Sequence, residues 1–365
     1  MPEIRVGISG WTYPPWRGNF YPDGLSQKNE LAYASRRFNA LEINGTFYSL
    51  QKASSFRAWR DDTPPGFVFS LKGGKYLTHV RQLKDPRKPL ANFFSSGLLA
   101  LREKLGPILW QFAPTMKFDE ERFKEFFELL PHDTVAMAKL AQEHDAFMVG
   151  KTELETDAKR PVRHAVEFRH ESFCTERFTD LCRAHNVALV VADVASKFPT
   201  AQDVTADWVY IRLHGSRELY KSGYEADEIS AWAAKVRAWS QGAEPADARK
   251  ISGKPPPTSG ERDVYVFFDN TDVKQRAPVD ARQMAEALGV APPGSEADVL
   301  GQLGGKPKAA KSRTPAAKAP AAEKAAGTKK APRAKKSASK PGVEASTLES
   351  KTAWKRPAKK SGKST

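Results

Sequence analysis

Eight short apolar segments, each closing on a polar side chain and each followed by helical material, set the limits on what this chain can fold into. They are IRVGIS at 4–9, ALEIN at 40–44, FVFSLK at 67–72, ILWQF at 108–112, the stretch beginning HAVEFR at 164, VALVVAD at 187–193, WVYIRLH at 208–214 and VYVFFDN at 264–270. Between them lie helical candidates at 29–38, in SFRAWRDD, in NFFSSGLLALREKLG, at 119–130, in TVAMAKLAQEHDAF, after RHESF, at 227–240 and near 278–288. Strands alternating with helices call for a parallel sheet, either a (β/α)8 barrel or a doubly wound open sheet.

Side-chain parity separates the two. Alternation along HAVEFRH puts Ala165, Glu167 and Arg169 on one face and Val166 and Phe168 on the other. Burying that charged pair without tight partners would cost several kcal/mol, so the segment reads as the rim of a site. The same alternation gives Ser9, Glu42 with Asn44, Lys72, Gln111, Asp193, Arg212 with His214, and Asp269 on the faces that carry the final polar residues. An open sheet gathers ligands at one switch point, whereas a barrel collects polar groups from every strand at its C-terminal rim. The expected fold is therefore α/β, a (β/α)8 TIM-type barrel, with a disordered basic C-terminal tail.

The tail is marked by charge. Residues 304–365 hold eighteen Lys or Arg against three Glu, which equals the +15 of the whole chain and leaves the preceding residues formally neutral. Runs such as KAAKSRTPAAKAPAAEKAAGTKK have no core-forming period and cannot offset their ordering entropy. The expected organisation is a barrel over 1–291 and a Lys/Ala/Pro-rich disordered tail over 292–365. Residues 304–365 are a candidate for non-specific nucleic-acid binding. Two cysteines without a CxxC motif, no N-terminal apolar signal and no run of 18 apolar residues point to a reducing cytoplasm and no membrane partner. The sequence leaves the oligomeric state open.

Seven ordered motifs resemble the YecE-like proteins, the DUF72 domain of unknown function. They are VGISGWTYPPWRGNFYP at 6–22, LEINGTFY at 41–48, FSLKGGKYLTH at 69–79, LGPILWQF at 105–112, AVEFRHESF at 165–173, YIRLHG at 210–215 and VFFDNT at 266–271. The resemblance covers about 4–290 and implies a TIM-type barrel with a polar pocket at its C-terminal end, similar in fold to sugar isomerases and metal-dependent apurinic endonucleases. It implies no settled reaction. By motif match it marks Glu42, Asn44, Lys72, His79, Gln111, Glu167, Arg169, Arg212 and His214 as recurrent polar positions. Two departures stand out: Asp269 where the family more usually has the first of two asparagines, and Cys174 where it usually has Trp.

Four carboxylates, Glu42, Glu167, Asp193 and Asp269, then face the cations Lys72, Arg169 and Arg212. That balance suits an anionic or polyhydroxylated ligand, with Glu42, Glu167 and Asp269 as catalytic candidates and Glu42 and Glu167 as the proton-transfer pair. Asn44, Lys72, Gln111, Arg169, Asp193, Arg212 and His214 are the candidate binding groups. Trp11, Tyr13, Trp16, Tyr21 and Tyr48 could form a sugar platform or pack the first loop over the barrel mouth. His214 and the carboxylates could hold a divalent metal, although one strand-end histidine is few for a zinc site. His79 and His170 sit in loops that could reach inward. Without a P-loop or a strand-linked GxGxxG, no nucleotide cofactor is expected. Lys72 could form a Schiff base, but with Glu42 and Asp269 near, an ion pair is the expectation. The functional expectation is a hydrolase or lyase acting on a phosphorylated or sugar-containing substrate; the alternative is a nucleic-acid-binding or nucleic-acid-processing protein using the tail.

Overall fold

The computed structural model describes residues 2–271 and 276–294. The expected tail, 292–365, therefore lies almost wholly outside the described residues. Nine parallel strands run in the order β6-β5-β4-β3-β2-β1-β9-β8-β7. They are β1 Ile4–Ser9, β2 Ala40–Ile43, β3 Val68–Lys72, β4 Leu105–Gln111, β5 His164–Glu167, β6 Ala188–Leu189, β7 Val191–Asp193, β8 Trp208–Leu213 and β9 Asp263–Phe268. The two ends of the sheet, β6 and β7, are halves of one segment interrupted at Val190, and this continuity closes the sheet into a barrel.

The interruption is the main departure from the expected eight unbroken strands. Val190 N donates to Val166 O at 3.0 Å, holding the segment to β5. On its other side the Thr205 hydroxyl takes the place of a neighbouring strand: it accepts from Leu189 N at 2.8 Å and donates to Val187 O at 2.7 Å. Only at Val191 does pairing with β8 begin. The sequence VALVVAD carries no glycine or proline to mark this break.

Helices follow the strands as the alternation requires. Those that frame the site are α1 Glu30–Ala34, the short turn α2 Gly45–Tyr48, α3 Ala53–Asp62, α4 Arg87–Ser95, α5 Glu120–Glu128, α6 Thr134–Ala141, α7 Glu176–Ala184, α8 Ala226–Ser240 and α9 Ala277–Leu288. Asp119, Asp133 and Thr175 cap α5, α6 and α7 through their side-chain oxygens. The first expected helix, 29–38, is shorter than its pattern: a 3-10 turn at Gln27–Asn29 takes its first residue, and the helix ends at Ala34.

Parity divides the core in two. Val6, Ile8, Leu41, Ile43, Leu71 and Ile211 face the helices, while Ala40, Ala165 and Ala188 face inward with Trp208, Tyr210, Tyr265 and Phe267. Small residues on one wall make room for aromatic rings from the other, so the lower barrel is packed rather than hollow. Gly7 belongs to this economy of space: a Cβ there would lie 2.0 Å from Ala40 O on the adjoining strand. Among the described residues no helix is long and apolar enough to cross a membrane.

Candidate active site

Above the aromatic layer the inward faces turn polar, and they converge on one side chain. Alternation along β8 points Tyr210 and Arg212 into the barrel, and Arg212 is fully buried. Its Nε donates to Glu42 Oε2 at 3.0 Å and its Nη2 to Glu42 Oε1 at 2.7 Å. Nη1 donates to Glu167 Oε2 at 2.6 Å, and Nη2 also reaches Asp269 Oδ2 at 2.9 Å. One guanidinium thus ties three carboxylates from β2, β5 and the end of β9, which its planar fork of donors permits.

The carboxylates differ in what remains open to them. Glu42 Oε1 also accepts from Ser9 Oγ and Oε2 from Tyr210 OH, both at 2.7 Å, so each oxygen of this fully buried group has two donors. Tyr210 OH in turn meets Ser70 Oγ at 2.6 Å. Glu167 Oε1 accepts from Gln111 Nε2 at 2.8 Å and from Arg169 Nη2 at 3.2 Å. Burial alone would push the Glu167 carboxyl up, but the charges of Arg212, Arg169, His214 and Lys72 overcome it and hold the group well below its usual range. Asp269 is held low in the same way: burial opposes, Arg212 and His214 prevail. His214 Nδ1 lies 3.1 Å from Asp269 Oδ2, close enough for an ion pair but not aligned as a hydrogen bond.

Two cations border the mouth. Arg169 lies against the Phe198 ring at 4.7 Å and donates from Nη2 to Tyr220 OH at 2.8 Å. Lys72 closes β3, and its backbone carbonyl accepts from Thr46 Oγ1 at 2.7 Å. That bond fixes α2, whose next residue sets the Phe47 ring 4.6 Å from Lys72 Nζ. Here the expected ion pair is corrected: among the described residues no carboxylate lies within 4 Å of Lys72 Nζ and none hydrogen-bonds to it, because the guanidinium of Arg212 has taken them all. Burial and then Arg212 lower the Lys72 amine to about 8, against the partial support of Asp269, Glu42 and Glu167. Gly73 follows because a Cβ there would lie 2.2 Å from the Trp110 ring. The chain then makes a π-helical turn, Tyr76–Val80, carrying half-buried His79, whose ring stands nearly perpendicular to that of Phe47 with the ring centres 5.0 Å apart.

The sequence of the family described as "Protein of unknown function DUF72" matches residues 5–300. The chain belongs to the DUF72 family. Among solved structures, a DUF72 protein from Thermotoga maritima is 26% identical with a TM-score of 0.58, covering 79% of this chain and 99% of that one. A DUF72 protein from Enterococcus faecalis, 16% identical with a TM-score of 0.56, covers 78% of this chain and 95% of its own and attests the fold. The UPF0759 protein YunF of Bacillus subtilis is 26% identical over 116 residues, 30% of this chain and only 40% of YunF.

In this DUF72 barrel, Glu42, Lys72, Gln111, Glu167, Arg169, Arg212, His214 and Asp269 meet at one end, as parity predicts. Asn44 stands at the rim with Oδ1 buried and unpartnered, lining a cavity of ≈ 260 Å³ with Trp11, Tyr13 and Trp59. Asp193 departs. Its face is that of Val191, which packs toward the helices, and its Oδ2 accepts from Tyr224 OH at 3.2 Å in a separate cavity beside Glu228 and Lys235. His170 caps a turn at Ser172 instead of reaching inward. Trp16 and Tyr21 are fully buried in the packing of the first loop and Tyr48 is exposed, so these three form no platform. Asn270 turns outward to Asp280 Oδ2 at 2.7 Å. The carboxylates that could have held a metal converge on Arg212, and among the described residues no three His, Cys, Asp or Glu form a metal site.

The reading of the sequence missed Tyr210, Phe47 and Tyr220. Tyr210 shares parity with Arg212 and His214 in WVYIRLH, so its position was legible. Phe47 follows the strand in a turn, and Tyr220 comes from a loop with φ of 65°, beyond the reach of periodicity.

Proposed function

We propose that this DUF72 protein is an enzyme acting at the barrel mouth on a small anionic, hydroxyl-bearing substrate such as a sugar phosphate. The observation that carries the reading is the division of labour among the charges: the three carboxylates are engaged by Arg212 below, while Lys72 and Arg169 stand above with donor capacity left. Both of these cations act on Glu167 and on His79, so they lie on the same side of the cluster. An anion entering there would find donors already positioned, and a substrate hydroxyl would find an acceptor in Asp269.

A lyase fits better than a glycosidase. Glu42 and Glu167 bind the same guanidinium, so a sugar cannot lie between them as acid–base pairs require. The test is calorimetric titration of the full chain with inorganic phosphate and a panel of sugar phosphates, with and without divalent metal. Binding by at least one sugar phosphate, weakened about 10-fold or more in Arg169→Ala, is the expected result. No binding across the panel, or equal binding by the variant, would remove the reading.

A further inference from the structure

Among the described residues Lys72 is the strand-end charge of the cluster whose head group has no hydrogen bond or ion pair, and that position invites a chemical role beyond attracting an anion. We propose that Lys72 Nζ is a nucleophile that forms an imine with the carbonyl carbon of an aldehyde or ketone substrate bearing an anionic group. The inference rests on the anion-binding reading of the mouth, and it adds a reaction to it.

Geometry supports this first. The Lys72 residue is buried, with 9% of its surface left exposed, so bulk water is largely excluded from it. The Phe47 ring beside it is held by α2, whose Thr46 hydroxyl bonds the carbonyls of both Ile43 and Lys72, so the lysine stem and the aromatic wall are one unit. His79 packs on the edge of the same ring, and its Nδ1 meets Thr78 Oγ1 at 2.9 Å, leaving Nε2 without a partner among the described residues. The charges acting on the amine are those of Arg212, Asp269, Glu42 and Glu167, and the amine itself acts with Arg169 and Lys75 on His79. Their balance, with the amine at about 8, leaves roughly a tenth of it neutral at pH 7, and only the neutral amine attacks. Burial, then the charges of Lys72 and Arg169, lower His79 to about 4, so its ring is neutral near neutral pH.

The step balances without an oxidant or reductant. The Nζ lone pair forms a bond to the carbonyl carbon, and the π pair moves to oxygen, which takes a proton. Nitrogen loses a proton, the hydroxyl leaves as water with a second proton, and a C=N bond remains. The protonated imine withdraws electrons from the adjacent carbon, which serves bond cleavage or isomerisation there, and hydrolysis by the same water regenerates the amine.

Reductive trapping tests this. The full chain at pH 7.5 is incubated with cyanoborohydride and, separately, with dihydroxyacetone phosphate, glyceraldehyde 3-phosphate or pyruvate, and the adducts are mapped by mass spectrometry. At least one probe should label Lys72 at least about 10-fold faster than any other lysine, with a rate that rises with pH through about 8. Lys72→Arg, which keeps the charge, should lose that adduct; Lys72→Met checks the loss in a neutral background. Labelling of Lys72 no faster than surface lysines overturns the imine. If phosphate binding that needs Arg169 persists in that case, only the imine fails. If trapping at Lys72 persists while phosphate binding is absent, the anion reading fails and the nucleophile stands.

Discussion

Arg212 holds Glu42 by two parallel hydrogen bonds, Nε to Oε2 at 3.0 Å and Nη2 to Oε1 at 2.7 Å, with both side chains fully buried. Such a pair contributes little net stability relative to an apolar replacement of the whole cluster, yet removing one partner strands buried charge. Here the removal would strand three carboxylates. Arg212→Met is therefore expected to lower unfolding free energy by about 3–5 kcal/mol. Arg212→Lys keeps the charge but not the fork and should recover only part. Urea unfolding of the two variants checks both.

Acid should weaken the same cluster. Glu167 and Asp269 are held below their ordinary values of 4.5 and 3.8, so the unfolded chain takes up protons first as pH falls. Their contribution is complete above those ordinary values and is lost as pH drops through the lower folded ones. Glu167→Gln should flatten the decline of stability between about pH 5 and pH 2, read from urea midpoints at stepped pH. An unchanged slope would mean that Glu167 is not held by the arginines.

His79 offers a local reading of charge at the mouth. With its value lowered to about 4, its ring resonances should stay those of a neutral imidazole from pH 7 down to about 5. Burial is the main cause and the charge of Lys72 the next, so Lys72→Met should move the midpoint upward, toward 6.5. Proton NMR titration distinguishes this from a His79 that faces open solvent.

The close approach of β1 and β2 predicts intolerance at Gly7. A Cβ 2.0 Å from a backbone carbonyl cannot be relieved by rotating a side chain. Gly7→Ala should cost about 1–3 kcal/mol or more, or prevent soluble expression. Gly253→Ala, where a Cβ would meet nothing within 4 Å, is the control.

We propose for residues 304–365 a separate, electrostatic role. With eighteen basic and three acidic residues, the segment should bind duplex DNA without sequence preference. If roughly 6–10 charges meet phosphates, affinity should fall about 10³ to 10⁵ fold between 50 and 200 mM salt. Deleting 304–365 should abolish that binding, and a truncated chain with the same salt slope would assign it to the barrel.

Much of the site was legible because alternation in a strand is rigid. Once Glu42, Gln111, Glu167, Arg212 and Asp269 are placed at strand ends, a closed sheet leaves them no direction but inward. Parity could not foretell which cation would engage the carboxylates. Arg212 and Lys72 are equal charges in a sequence, but five donors in a plane can satisfy three carboxylates at once and a single ammonium cannot. Asp193 was misplaced for a related reason. Alternation runs on through Val190, so Ala188, Val190 and Ala192 face inward and Asp193, at the last position, shares the outward face of Leu189 and Val191; a polar end there does not imply a polar interior. Tyr220 and Phe47 come from turns, where no period exists to read.

The Thr205 hydroxyl leaves the barrel with a seam. On either side of Val190 the wall is only two and three residues long, and β6 meets a side chain where every other inner strand meets a backbone. A ladder so short is where the cylinder can breathe without unfolding as a whole. The amides of 188–193 should then exchange with solvent sooner than those of β1 or β9. Because β8 begins just across that seam, any such opening would loosen Arg212 first, coupling the weakest part of the wall to the residue that organises the charges within it.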